Sequence, residues 1–303
     1  MTLPDRMHDD QFEIDAPLVR VLVDAQFPRW SSLPLAPVTA ASTVNAIYRL
    51  GDELAVRLPL RPGQADQFER DRRWLPYLAP HLPLRIPEPV AAGEATEAYP
   101  SEWAVYRWLP GRPATDVAPN DPAAAADALA AFIRALHAID ASEGPGPSAA
   151  NYQRGAPLAP RDASARQGLA ALAGEIDVEA ATAVWEAALA APEWDRAPVW
   201  LHGDLMPGNL LVDEGRLSAV IDFGALGVGD PACDMIPAWV FLPAAVRGRF
   251  RDAVRADEAT WTRGRGWALW IVLVGLPYYR DTNPGFVRVL RRTLDAVLGD
   301  PDR

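Results

Sequence analysis

An α+β chain in two parts, a small strand-bearing first part followed by a larger helical one, is the fold class this sequence predicts. Three observations carry that expectation. Half of the 303 residues are apolar, enough to bury a sizeable core. Strand-like runs around a tight turn stand before residue 110, whereas alanine-rich runs of helical period dominate after it. A strand-rich island, Val199 to Asp222, interrupts those helices. Neither a repeat of about 20 to 50 residues nor a long flexible linker is visible, so a solenoid or beads on a string are not expected.

Asp15 and Pro17 followed by Leu18, Val21, Leu22 and Ala25 predict a capped amphipathic helix over about 15–27. AIYRL (46–50) and LAVRL (54–58), joined by Gly51-Asp52-Glu53, predict a β-hairpin. A helix from about Gln64 to Leu78 follows, then a strand over Trp103–Trp108 closed by Leu109-Pro110-Gly111. That Pro-Gly pair marks the expected boundary, giving a first lobe over 1–110 and a second over 111–303. Asp121-Pro122 starts a helix to about Ala138, and further helices are expected near 163–173, 178–190, 243–255, 261–279 and 285–298.

Composition narrows the function. Cys233 is the single cysteine, which excludes an internal disulfide and a multi-cysteine zinc site and fits a reducing compartment. The start MTLPDRMHDDQFEID lacks the pattern of a signal peptide, so a cytoplasmic protein is expected. WALWIVLVGLPYY (267–279) is too short to span a bilayer and reads as a buried helix, and no membrane partner is expected. A net charge of -11 argues against nucleic acid and favours, if anything, a cationic small molecule; Asp281, Trp267 and Tyr278 are candidates to line its pocket. All 29 cationic side chains are arginine, so a Walker A lysine is absent.

The segment WLHGDLMPGNLLVDEGRLSAVIDFG, Trp200 to Gly224, carries the chemistry. Its two apolar runs predict a hairpin in which Leu210 faces Ile221 and Leu211 faces Val220, around a turn containing Gly215. In that register Asn209 stands opposite Asp222, at about 5 Å between α-carbons. An amide and a carboxylate suffice to hold Mg²⁺ when a nucleoside triphosphate supplies the remaining oxygens. Asp204 lies five residues before Asn209 and follows His202-Gly203, giving H-x-D-x-x-x-x-N and then D-F-G. This matches the catalytic-loop and metal-loop layout of phosphoryl transfer, with the Asp accepting the proton of the attacking hydroxyl. His202, a lone histidine ending a strand, is expected to bond within the loop.

These residues, with Asp230-Pro231 and Asp234, resemble the Brenner-type motif of the aminoglycoside phosphotransferase family, protein-kinase-like small-molecule kinases related to choline and macrolide kinases. The resemblance implies a bilobal protein-kinase-like fold and transfer of the γ-phosphoryl group of ATP to a hydroxyl, with Mg²⁺. It implies Asp204 as catalytic base, Asn209 and Asp222 as metal ligands, and His202 and Asp234 as support of the catalytic loop. It also places a phosphate loop at Thr39–Asn45, with Ser42, Thr43 and Asn45 in contact, and puts Arg57 where the family usually has a lysine. Asp71 then stands at the usual glutamate position with Glu69 beside it, and Arg107 and Leu109 offer backbone contacts to adenine. Arginine can chelate phosphate oxygens but is not a neutral exchange for lysine.

Gly224-Ala225-Leu226-Gly227-Val228-Gly229 has the wrong spacing for a dinucleotide fingerprint, and Asp230-Pro231 follows where a helix is needed. Two alternatives stay open: a nucleotide-binding pseudokinase, motivated by Arg57, and a kinase of a metabolite such as choline, homoserine or a sugar. A monomer or weak dimer is expected.

Overall fold

The computed structural model describes residues 11–38, 45–62 and 66–300. Ser42 and Thr43, and with them most of the expected phosphate loop, lie outside the described residues. The chain forms two compact units. One holds the described residues up to Pro80 together with Arg85–Pro110, and the other holds His81–Leu84 and the chain from Gly111.

In the first unit, Asp15 caps helix α1 (Ala16–Gln26) by accepting the Leu18 N–H at 2.8 Å, and Pro17 in the first turn needs no donor there. Among the described residues five strands follow: β1 (Leu35–Pro37), β2 (Asn45–Leu50), β3 (Leu54–Pro59), β4 (Pro89–Gly93) and β5 (Trp103–Arg107), with helix α2 (Asp66–Leu78) between β3 and β4. They make one antiparallel sheet in the order β1-β2-β3-β5-β4. Val19, Leu22 and Val23 of α1 share a core with Tyr48, Leu50, Val56 and Leu58 of the sheet. Each such fully buried aliphatic chain stabilises the fold by about 1.5–3 kcal/mol. The short strands β1 and β4 carry too few alternating residues to stand out in the sequence.

The second unit is mainly helical. Its strands are β6 (Arg112–Pro113), β7 (Val199–Leu201), β8 (Leu210–Asp213), β9 (Arg216–Val220) and β10 (Gly227–Gly229). Its helices are α3 (Pro122–His137), α4 (Asp162–Ala171), α5 (Val178–Ala190), α6 (Pro237–Val240), α7 (Ala244–Val254), α8 (Glu258–Tyr279) and α9 (Pro284–Leu298). The apolar run at 267–279 lies in α8, which packs against α4, α5 and α9, so its uniform hydrophobicity reflects burial on several sides. Among the described residues, no helix is long and apolar enough to cross a membrane.

The β8–β9 hairpin corrects the expected register by one residue. Glu214 and Gly215 both take left-handed backbone, with φ of 48° and 75°, and form a two-residue turn closed by Asp213 and Arg216. A bulge at Ser218 absorbs the extra residue, so Leu210 faces Val220 and Leu211 faces Ala219. Asn209 therefore stands opposite Ile221, whose N–H donates to the Asn209 carbonyl at 2.9 Å. Asp222 is one residue further on, beyond the strand, in the left-handed region at φ 63°. The expected register had a turn containing Gly215 and no bulge; a left-handed Glu214, which the residue type rarely adopts, and the bulge at Ser218 together move it by one residue.

Candidate active site

Strand β7 pairs with β10, Leu201 opposite Gly227, which brings the loop leaving β7 beside the segment leaving β9. The β7 loop begins with His202, fully buried, and Gly203 at φ +80°. A Cβ on Gly203 would lie 2.9 Å from both the Ala225 carbonyl oxygen and Arg154 Cγ, so glycine serves both the backbone angle and the close approach. Asp234, fully buried, accepts the His202 N–H at 3.0 Å and the Gly203 N–H at 2.8 Å, with His137 Nε2 at 3.4 Å. The imidazole of His202 accepts the Asp204 N–H on Nδ1 at 3.2 Å, and its Nε2 meets the Ile221 carbonyl at 3.0 Å, a pattern that puts the ring proton on Nε2. Phe223 packs edge-on against that ring.

This bracing presents Asp204, whose side chain is 35 % exposed. Asn209 Nδ2 donates to Asp204 Oδ2 at 3.0 Å and to its carbonyl at 2.8 Å, while Arg154 Nη2 lies 3.7 Å from Oδ1. Burial raises the Asp204 carboxyl above the ordinary carboxylate range; Arg154 pulls it back and Asp222 pushes it up. With both Asn209 amide hydrogens directed to Asp204, its Oδ1 is the oxygen left to meet a hard cation. Among the described residues, no group of three or more His, Cys, Asp or Glu side chains could hold a metal by itself. One amide oxygen and one carboxylate suit Mg²⁺ that completes its shell with phosphate oxygens and water, so the donor set fits the ion.

In the first unit, Arg57 on β3 and Asp71 on α2 form a buried pair at 3.6 Å, with side chains 16 % and 2 % exposed. Tyr106 on β5 donates its hydroxyl to Asp71 Oδ2 at 2.8 Å. Asn45 is the first residue of β2 and is buried, and with its amide oxygen toward Arg57 it accepts from Nε at 3.0 Å and from Nη2 at 2.9 Å. Asn45, Arg57, Phe68 and Tyr106 line one pocket. Glu69 stands apart from this cluster, exposed and paired with Arg72 at 2.8 Å, because three residues along a helix face it toward solvent. Arg107 ends β5 with its N–H on the Glu88 carbonyl, and the Trp108 N–H reaches the Glu53 carbonyl. Neither bond uses the Arg107 carbonyl or the Leu109 N–H.

The sequence did not single out Arg154 or the Tyr106 hydroxyl. Arg154 lies in a loop with no periodic pattern, and Gly203, Asp204 and Trp267, which its side chain meets, stand far along the chain on other elements.

A kinase-like sheet unit, a helical unit and a braced H-x-D-x-x-x-x-N loop with D-F-G define a phosphotransferase that acts on a hydroxyl group. Residues 39–267 match the phosphotransferase enzyme family, more than half of the chain, and the protein belongs to that family. It is 33 % identical over 210 residues to an aminoglycoside 3'-phosphotransferase of Escherichia coli, a match covering 64 % of this chain and 72 % of that protein. Among solved structures, the macrolide 2'-phosphotransferase of Brachybacterium faecium is similar at 25 % identity and a TM-score of 0.61, covering 95 % of this chain and all of that one. The GDP complex of aminoglycoside 2'-phosphotransferase-IIIa shares the fold at 18 % identity, with a TM-score of 0.68 and coverage of 94 % and 99 %.

Proposed function

We propose that this protein transfers the γ-phosphoryl group of ATP, with Mg²⁺, to a hydroxyl of an aminoglycoside-type small molecule. The observation that carries the reading is Asp204, presented by a braced loop with one carboxylate oxygen on Asn209 and the other beside Arg154. Asp204 orients the acceptor hydroxyl and takes its proton as the oxygen attacks phosphorus. Asn209 Oδ1 and the Asp222 carboxylate would hold Mg²⁺, which when bound neutralises charge on the phosphate oxygens. Arg57, fixed by Asp71 and Asn45, presents its guanidinium to the phosphates, and the backbone from Arg107 to Leu109 meets the adenine. The likeness to the Escherichia coli 3'-phosphotransferase supports the acceptor class.

The test is an ATP-consumption screen across aminoglycosides, macrolides, choline, homoserine and sugars, paired with calorimetry of ATP binding. Turnover is expected with an aminoglycoside, and ATP is expected to bind more tightly with Mg²⁺ than with a chelator. Turnover with a metabolite alone would move the acceptor class, and equal affinity with and without metal would remove Asn209 and Asp222 as ligands.

Arg57 gives a separate expectation. Arg57→Ala should raise the ATP KM by about tenfold or more, the scale of a lost charge-assisted hydrogen bond. Arg57→Lys should retain much of the activity through its charge, although it cannot reproduce the two bonds to Asn45. Steady-state kinetics at fixed acceptor measures both, and an Ala variant with the parent's KM would make Arg57 structural only.

A further inference from the structure

We propose that Arg154 is the positioning residue for Asp204, clamping the carboxylate against Asn209 so that one oxygen points at the acceptor hydroxyl. The inference rests on the catalytic role proposed for Asp204.

Arg154 is 8 % exposed, and the ion pair it makes among the described residues is with Asp204, at 3.7 Å. Its Nε and Nη1 are buried with no hydrogen-bond partner among the described residues. Burying a cation with incomplete hydrogen bonding costs stability, and a fold selected for stability alone does better with an apolar side chain there.

The chain is also distorted to place it. Tyr152 and Gln153, the two residues before Arg154, both have φ of 56°, a left-handed conformation that costs a side-chain-bearing residue on the order of 1 kcal/mol or more. Arg161 holds this turn by donating Nη2 to the Tyr152 and Gln153 carbonyls at 2.9 and 2.8 Å. On the other side, the Gly155 carbonyl accepts the Asp230 N–H at 2.9 Å.

The guanidinium is backed by an aromatic wall, with Trp267 at 5.0 Å and Trp270 at 5.6 Å from its central carbon. Its aliphatic stem packs on Gly203 of the loop that carries Asp204, the contact a side chain at 203 would abolish. Arg154 thus touches the loop that carries Asp204 twice, through its stem at Gly203 and through its charge at Asp204.

Arg154→Met keeps the length and apolar stem and removes the charge; Arg154→Lys keeps the charge. With saturating ATP and the best acceptor of the screen, the Met variant should lose about tenfold to a hundredfold in kcat, with the ATP KM unchanged and a melting temperature equal to or above the parent's. Lys should recover most of the kcat. A second measurement needs no acceptor: in the nucleotide-free protein, Arg154→Met should raise the melting temperature more in an Asp204→Asn background, where the cation has lost its carboxylate, than in the native one. Undiminished kcat in a folded Met variant, a Lys variant no better than Met, or equal melting shifts in the two backgrounds each overturn the proposal. If the parent turns over no acceptor while the melting shifts are coupled, the assigned reaction fails and the Arg154–Asp204 clamp stands.

Discussion

Asp204→Asn is expected to lower turnover by roughly 10² or more, the usual scale for a positioned acid-base group, while ATP binds about as before. The two side chains have nearly the same shape, and the amide oxygen can still accept from Asn209, so the loop keeps its form. What is lost is the negative charge and the basicity that the proposed role requires. Burial pushes the Asp204 carboxyl above the ordinary carboxylate range, a direction that favours proton acceptance, and Arg154 opposes the rise. An amide at the same position offers neither property. In the proposed reading ATP is held by groups other than Asp204, none of which the substitution removes. Steady-state kinetics with the best acceptor, alongside an ATP titration, measures both sides of the claim. Turnover within about threefold of the parent would end the catalytic assignment, and a large loss of ATP affinity would move Asp204 into nucleotide binding.

Much of this arrangement was legible in the sequence because its parts are local. The helix starts at Asp15 and Asp121 are visible as a capping side chain followed by proline, and the structure shows both carboxylates accepting backbone N–H groups in the first turn. The spacing of His202, Asp204 and Asn209 is likewise a property of one loop. The hairpin register was lost by one residue because a left-handed Glu214 has no mark in a composition, and the turn type sets every pairing behind it. Short strands such as β6 and β10 exist only through their partners, so their own residues do not announce them. Arg154 was illegible for a related reason: its meaning comes from Asp204, Gly203 and Trp267, each brought to it by a different element. The Arg57–Asp71 pair stands between these cases, since family likeness could name both positions but only the fold separates Asp71 from the exposed Glu69 three positions from Arg72.

Asp234→Ala is expected to produce the largest loss of stability of the substitutions considered, roughly 3–5 kcal/mol, the cost of a buried charged acceptor removed from its donors. Asp234 is fully buried and takes the backbone N–H groups of two successive residues, His202 and Gly203, at 3.0 and 2.8 Å, with His137 close by. Alanine leaves both amides buried with no acceptor, and the void beside them is lined by polar groups that gain nothing from collapse. Against a typical total of about 5–15 kcal/mol, that is a large fraction. The same amides begin the loop that carries Asp204, so turnover should fall with stability, by on the order of 10² for a displacement of about 1 Å at the reacting group. Asp234→Asn keeps one acceptor oxygen but turns an amide N–H₂ toward one of the two donors, so it should fall between Ala and the parent in both properties. Urea unfolding followed by far-UV circular dichroism, with kcat measured on the folded fraction, separates the two effects. An Ala variant that unfolds at the parent's urea midpoint and turns over at the parent's rate would show that the loop is held by the His202 ring alone, through its contacts with Ile221 and the Asp204 amide.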